Sequence, residues 1–469
     1  MNRISCTLLA ILLPTVLLLG EKKKEFDRTI PTKPTDRIEL RGFSSSKIDF
    51  KSWDKNEIRI NIRVSVESSN ESYMEEYIRN VDLMSTDREG VVVVTFKQPD
   101  MSGRTGFSWS NLFKLKFSSW NSVDVAGEIY LPRSNPLFLE VRYSSISLEE
   151  MHGELSLDGK SSTISLKNCG ALRSIDNDYG TTTVEQSGGN LQLKSTSSRI
   201  TIDTFDGSVD LDADYSTVQL RDIKKGATIK SKSSSNITVE GVAEDLTLHS
   251  DYSTLRISDV KGFVTLDDKS GNIKVNRVGG IRVQAPYTHI DISDVTGKSN
   301  KPIQIESSSG RVSLENITGD ISIESPYSPI ELTNIRGNVE ITAKSGSIRF
   351  DDVIGDVKAT TEYTSFSFRD VTANSIVITD KSSSVDLSLK NIPSTIDIRN
   401  EYGNVKLRLP KDYSADANLK VSYGTIKCNK PLGVEEVGGG AYFVGRIGGG
   451  TKNSLKVQTS SGDINLRLD

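Results

Sequence analysis

Between about Arg142 and Ser422 the chain alternates apolar and polar residues in short bursts, and the bursts recur about every eighteen residues. Two successive units read RVSLENITGDISIESPYSP and IELTNIRGNVEITAKSGS. In the first, Val312, Leu314, Ile317, Ile321 and Ile323 form the apolar set. In the second it is Ile330, Leu332, Ile335, Val339 and Ile341. Alternation with period two predicts strands with one buried face. A unit this small cannot bury that face alone, so it must stack on copies of itself. The expected fold is all-β: a single-stranded parallel β-helix, or β-solenoid, of about 18 residues per coil.

Each unit carries two further columns. An Asp or Asn recurs before the mid-unit Gly (Asp222, Asp259, Asp294, Asn316, Asn334, Asp352, Asp370), and reads as a turn device. The polar corner alternates between a Tyr type and a Ser type. The Tyr corners are Tyr143, Tyr179, Tyr215, Tyr252, Tyr287, Tyr327, Tyr363 and Tyr402, with Ser161, Ser197, Ser234, Ser270, Ser309, Ser345 and Ser382 between them. Aromatic stacks commonly fill solenoid corners, which makes a buried Tyr column the default. The rival placement is an exposed strip from Tyr215, Tyr252, Tyr287, Tyr327, Tyr363 and Tyr402, suited to a glycan or an elongated envelope protein. Acidic and basic residues alternate just before the corner, as at Asp251, Lys269, Glu362 and Lys381, which predicts a charge ladder between coils.

Residues 21–130 depart from the template. Ile58, Ile60, Ile62, Val64 and Val66 mark one long strand, Val91–Phe96 another, and Tyr73–Leu83 a short helix with Tyr77, Ile78 and Val81 on one face. This predicts an N-terminal antiparallel β cap, which an open solenoid end requires. The aromatic-rich stretch 104–120 is expected in the core of that cap. Coils then span 131–425, and 426–469 holds the last coils and a C-terminal cap, with glycine triplets read as turns. Ahead of all this, Arg3 and the uncharged run Ile4–Gly20 read as a signal peptide or N-terminal anchor. Glu21 stands where a lipoprotein signal would need Cys. The chain is therefore expected to be exported, touching a membrane only through that segment.

Composition narrows the chemistry. Three Cys in 469 residues cannot build a disulfide scaffold, and a net charge of −4 argues against nucleic acid as a partner. His152, His249 and His289 fall at different offsets and read as surface residues. Cys169 and Cys428 read as small buried apolar residues. No catalytic residue, cofactor or resident metal is predicted. Asp210, Asp212 and Asp214 alternate along one outward strand face. They suit calcium, or the carboxylates of a polysaccharide-active enzyme. Lys194 and Lys230 fall near Asp212 in adjacent coils, and neutralisation by them is the default.

The order of landmarks resembles a known family: SWDKNEIRINIRVSVE, IYLPRSNPLFLEVRYSSISL, the repeats, then VKLRLPKDYSADANLKVSYGTIKC and GGGTKNSLKVQTSSGDINLRLD. It is similar to the bacterial "putative adhesin" family of β-strand-repeat proteins, a domain of unknown function related to auto-transporter adhesin head (GIN) domains. The resemblance covers most of 40–469. It implies an exported single-stranded β-helix without established catalytic residues. The expected function is thus a non-enzymatic adhesion or ligand-binding module of the cell envelope. A polysaccharide-active enzyme and a self-assembling rod are the rivals, and the sequence leaves the oligomeric state open.

Overall fold

A computed structural model describes residues 20–99, 121–233, 235–297, 301–449 and 452–469. The proposed signal (1–19 of it) and the aromatic stretch 104–120 lie outside the described residues. The fold is all-β, a parallel β-solenoid of about 18 residues per turn, with one helix among the described residues. The chain divides into two compact units, Met1–Ile164 and Ser165–Asp469.

In the first unit, β1 (Gly20–Pro31), β2 (Arg37–Ser44), β3 (Ser46–Trp53) and β4 (Glu57–Ser68) precede helix α1 (Glu71–Asn80). There follow β5 (Asp82–Arg88), β6 (Val91–Lys97), β7 (Asn121–Pro132), β8 (Leu137–Arg142), β9 (Ser145–Glu149) and β10 (Glu154–Lys160). The five apolar residues of β4 are all buried, as the alternation requires. The helix is capped by Asn70, whose side chain accepts from the Tyr73 N–H, and it buries Met74 and Tyr77. Phe96 stacks on Phe43 at 5.7 Å and meets Phe26 edge-on at 5.9 Å, forming the aromatic centre of the unit.

The expectation of an antiparallel cap needs correction: the unit is mixed. Strands β1, β4 and β7 are antiparallel neighbours and β5 is antiparallel to β6, but β3 runs parallel to β7. Strands β6, β2, β8 and β10 are parallel throughout. The reason is a corner at Ser45, with φ of 50°, which sends β2 into one sheet and β3 into the other. Residues 37–53 already turn as a coil does.

The second unit shows how each coil is built. In Val312–Thr318, Val312 and Leu314 point inward, and Asn316 takes a left-handed φ of 56°. That residue breaks the alternation by one, so Ile317 returns to the core. All seven Asp and Asn residues of the turn column share this conformation. Asx side chains tolerate it better than other non-glycine residues. A second strand, Ile321–Glu324, buries Ile321 and Ile323. The next coil repeats the pattern in register, with Val312 beside Ile330, Leu314 beside Leu332 and Ile321 beside Val339. Each fully buried Ile or Leu contributes roughly 1.5–3 kcal/mol over exposure.

The stacking follows chain order until the last turns. There the final strands, Ser454–Ser461 and Ile464–Leu468, lie between Thr395–Tyr402 with Val405–Leu409 on one side and Ala415–Tyr423 with Ile426–Cys428 on the other. The glycine-rich turn Gly438–Gly439 closes a hairpin of Glu435–Val437 and Gly440–Ile447, and Gly440–Ile447 pairs antiparallel with Ala415–Tyr423. An antiparallel strand thus covers that edge of the stack.

Candidate functional site

The corners decide what the second unit presents to solvent. Two residues before the corner Tyr or Ser, or three before Ser234, the chain still points inward. Asn177, Ser195, Ser231, Ser250, Asp268, Ser307, Ser325, Thr361, Asp380 and Asn400 are all buried there. The corner residue itself points out. Tyr179, Tyr215, Tyr252, Tyr287, Tyr327, Tyr363 and Tyr402 are 57–67% exposed. The buried Tyr column is therefore overturned. Strict alternation from that inward polar residue would return the ring to the core; the chain turns at the corner and breaks the alternation, so the ring swings out.

Tyr and Ser corners lie in direct register. Ser270 pairs with Tyr287, Tyr287 with Ser309 and Ser309 with Tyr327; Ser345 pairs with Tyr363 and Ser382 with Tyr402. Rings are thus two strand spacings apart, roughly 9.5 Å. The inserted final coil keeps this period. Ser461 lies between Tyr402 and Tyr423, which would otherwise be adjacent. Tyr423 is 69% exposed and extends the column. Sequence reading missed it, although VSYG repeats the NEYG of Tyr402.

A groove of about 590 Å³ lies in the second unit beside the pre-corner column, between Lys230, His249 and Asp267 on one side and Lys232, Asp251 and Lys269 on the other. Its charges are largely paired: Lys269 Nζ lies 2.9 Å from Asp251, and His249 Nδ1 2.7 Å from Asp267. The bond to Asp251 raises the Lys269 pKa above its usual value. Glu362 and Lys381 pair at 3.4 Å. The charge ladder is therefore present in these coils. In earlier ones Asp178 accepts the Thr196 N–H at 2.8 Å and Asp214 accepts that of Lys232, so backbone replaces the counter-charge.

The other expected residues are placed plainly. Asp210 and Asp212 are exposed and Asp214 is half-buried. Asp212 lies in register between Lys194 and Lys230. Successive outward carboxylates on one strand are spaced about 6.6 Å apart along it. Among the described residues no group of three or more His, Cys, Asp or Glu is arranged to hold a metal ion. All three histidines are exposed. Cys169 is buried, as expected of a core residue, but Cys428 is half-exposed, because its short strand Ile426–Cys428 ends there.

Serine has a role the sequence did not reveal. Ser198, Ser216 and Ser235, each just past a corner, are buried. Each hydroxyl donates to the carbonyl two residues back: Thr196 (3.0 Å), Asp214 (2.8 Å) and Ser233 (2.9 Å). Each also accepts an N–H from the preceding coil, from Gly180, Ser198 and Ser216 respectively, all at 3.1 Å. Corner serines therefore serve the interior as well as the surface.

No curated relative matches the chain. Two solved structures are similar. One, from Clostridium sporogenes ATCC 15579, is described as a "putative cell adhesion protein". It shares 9% identity, covers 96% of this chain and 100% of its own, with a TM-score of 0.15. The other, a "putative adhesin" from Parabacteroides merdae ATCC 43184, shares 10% identity over 76% of this chain and 95% of its own, with a TM-score of 0.13. At such scores neither carries an argument. The family model described as Toastrack DUF4097 matches residues 173–365 and, overlapping them, 290–467. With the coils from Arg173 onward, their corners and the final strands inside that span, which is more than half of the chain, the chain belongs to the Toastrack DUF4097 family.

Proposed function

We propose that this protein is an exported, non-enzymatic binding module of the bacterial cell envelope, acting in adhesion through its tyrosine column. The observation that carries the reading is the row of rings at Tyr215, Tyr252, Tyr287, Tyr327, Tyr363 and Tyr402, each more than half exposed. Exposing rings costs burial energy, so a regular exposed row suggests use. Rings at a fixed spacing of roughly 9.5 Å suit a repeating, extended partner. A glycan chain fits best: the C–H face of a sugar stacks on an aromatic ring, and its hydroxyls meet the serine and tyrosine hydroxyls between. The paired charges alongside favour a neutral chain over a highly charged one.

The test is a glycan-array screen of the mature chain, followed by titration of the best binder against a Tyr287→Ala, Tyr327→Ala, Tyr363→Ala triple variant. A loss of at least about tenfold in affinity is expected, equivalent to 1.4 kcal/mol. Unchanged affinity with an intact circular-dichroism spectrum removes the tyrosine column from the function. Protease treatment of intact cells tests location, and full protection argues against adhesion.

A further inference from the structure

The interior of the later corners holds one mismatch of donors and acceptors. Asp380 is 2% exposed and Asn400 is 4% exposed, and the two occupy register positions on adjacent parallel strands. Asp380 Oδ1 accepts from Thr361 Oγ1 at 2.6 Å and from the Thr364 N–H at 3.4 Å. Asn400 directs its Nδ2 to the Ser383 carbonyl at 2.8 Å. That leaves Asp380 Oδ2 and Asn400 Oδ1, both buried and both without a hydrogen-bond partner. Turning the amide over does not help, because its oxygen would then face the Ser383 carbonyl. Elsewhere in this unit, side-chain oxygens and amides in register bond directly, as Asn334 Nδ2 does to Asn316 Oδ1 at 2.7 Å. The Asp380–Asn400 pair is one proton short of the same arrangement.

We propose that Asp380 is held as a neutral carboxylic acid whose Oδ2–H is donated to Asn400 Oδ1, joining two coils through a buried proton. An ionised carboxylate there would be stranded: a buried charge needs a counter-charge or several donors. Its inward neighbours, Thr361, Thr364 and Asn400, are uncharged. Charged residues near it along the chain, Glu362, Lys381, Arg399 and Glu401, are half-buried or exposed, and Lys381 pairs with Glu362. Burial is the largest influence on Asp380 and raises its pKa, while bonds from Thr361 and from the backbone N–H groups of Thr364, Ser382 and Lys381 oppose the shift; the last two N–H groups already donate to the Glu362 carbonyl, at 2.7 and 3.2 Å. A divalent cation fits poorly, since one carboxylate, one amide oxygen and the unpartnered Thr364 Oγ1 fall short of the six or more oxygens such ions take. Asp268 differs. It is equally buried, but Ser250 Oγ donates to Oδ1 at 2.6 Å and Thr288 Oγ1 to Oδ2 at 3.3 Å, so neither oxygen lacks a partner.

The linkage has a definite sign. A folded-state pKa above the unfolded value gives stability that is complete below the unfolded pKa and lost as pH rises through the folded one. Asp380→Asn supplies the missing donor at every pH. Thermal melts of the full chain and of this variant should therefore coincide near pH 4. They should separate as pH rises, with the variant higher by about 2–4 °C at pH 8. The same change at Asp268 should give no gain. Infrared difference spectra of the native chain at neutral pH should show a protonated-carboxyl band that Asp380→Asn removes. A variant that melts lower at pH 8, or an equal gain from Asp268→Asn, overturns the proposal. So does a native melting temperature that rises with added sodium, potassium or calcium and loses that response in Asp380→Asn, which would make the site a cation site.

Discussion

In the second unit, the coils from Tyr179 to Ser235 and those from Tyr252 onward turn the same corner by different chemistry. In the early coils Tyr179, Ser197 and Tyr215 themselves take left-handed φ values of 52–58°. The strain is offset by the serine ladder beneath, which satisfies every coil-to-coil N–H it reaches. In the later coils the corner residue is relaxed, and glycine is common just after it. Gly310, Gly346, Gly403 and Gly462 hold φ of 133–147°. Because glycine alternates there with Ser or Thr, the ladder is interrupted, and Ser253, Ser328 and Thr364 hydroxyls are left without partners. Two residues, Ser or Gly, thus solve one geometric problem: one by added hydrogen bonds, the other by removing a side chain.

The sharpest way to break this contrast is Gly403→Ala. A Cβ there would lie 2.1 Å from the Ser383 carbonyl oxygen, which is backbone and cannot swing aside. The expected cost is about 3 kcal/mol, read from the urea midpoint. Next comes Ser216→Ala, which strands the buried Ser198 N–H and should cost about 1–3 kcal/mol by the same measurement. A smaller effect of opposite sign is expected from Tyr215→Asn, which relieves left-handed strain and should gain up to about 1 kcal/mol. Tyr363→Asn, whose φ is ordinary, should gain nothing; equal responses at the two sites would erase the distinction between early and late corners.

The smallest expected effect concerns an exposed ion pair at the mid-unit turns of the later coils. Arg277 lies 2.6 Å from Asp259 and holds its carboxyl below the usual range. A lowered folded-state pKa gives stability that is present above the unfolded value and lost as pH falls through the folded one. Both groups are well exposed, so Asp259→Asn should cost at most about 1 kcal/mol at pH 7. The difference between variant and native chain should vanish in melts below pH 3 and shrink in high salt.

The repeat itself was legible because strand parity is written locally. Val312, Leu314, Ile321 and Ile323 could not all be buried in any other regular structure, and a unit so small had to stack. The Asp and Asn column was legible for a similar reason, as left-handed turns select those side chains. Legibility ended where a choice depended on neighbours distant in sequence. Nothing local in NEYG or VSYG says that Ser461, 59 residues after Tyr402 in register, will sit between those rings. Nothing in SSS says which hydroxyl turns inward.

Sequence by itself thus determined the coil, its period and the inward apolar set, because these follow from alternation and burial within one turn of chain. Tertiary structure alone decided three things: that the tyrosines face out, that the final coil is inserted out of chain order, and that Asp380 and Asn400 lie in register with an unpartnered buried oxygen on each. Each depends on which coil becomes the neighbour, and stacking settles that across tens of residues.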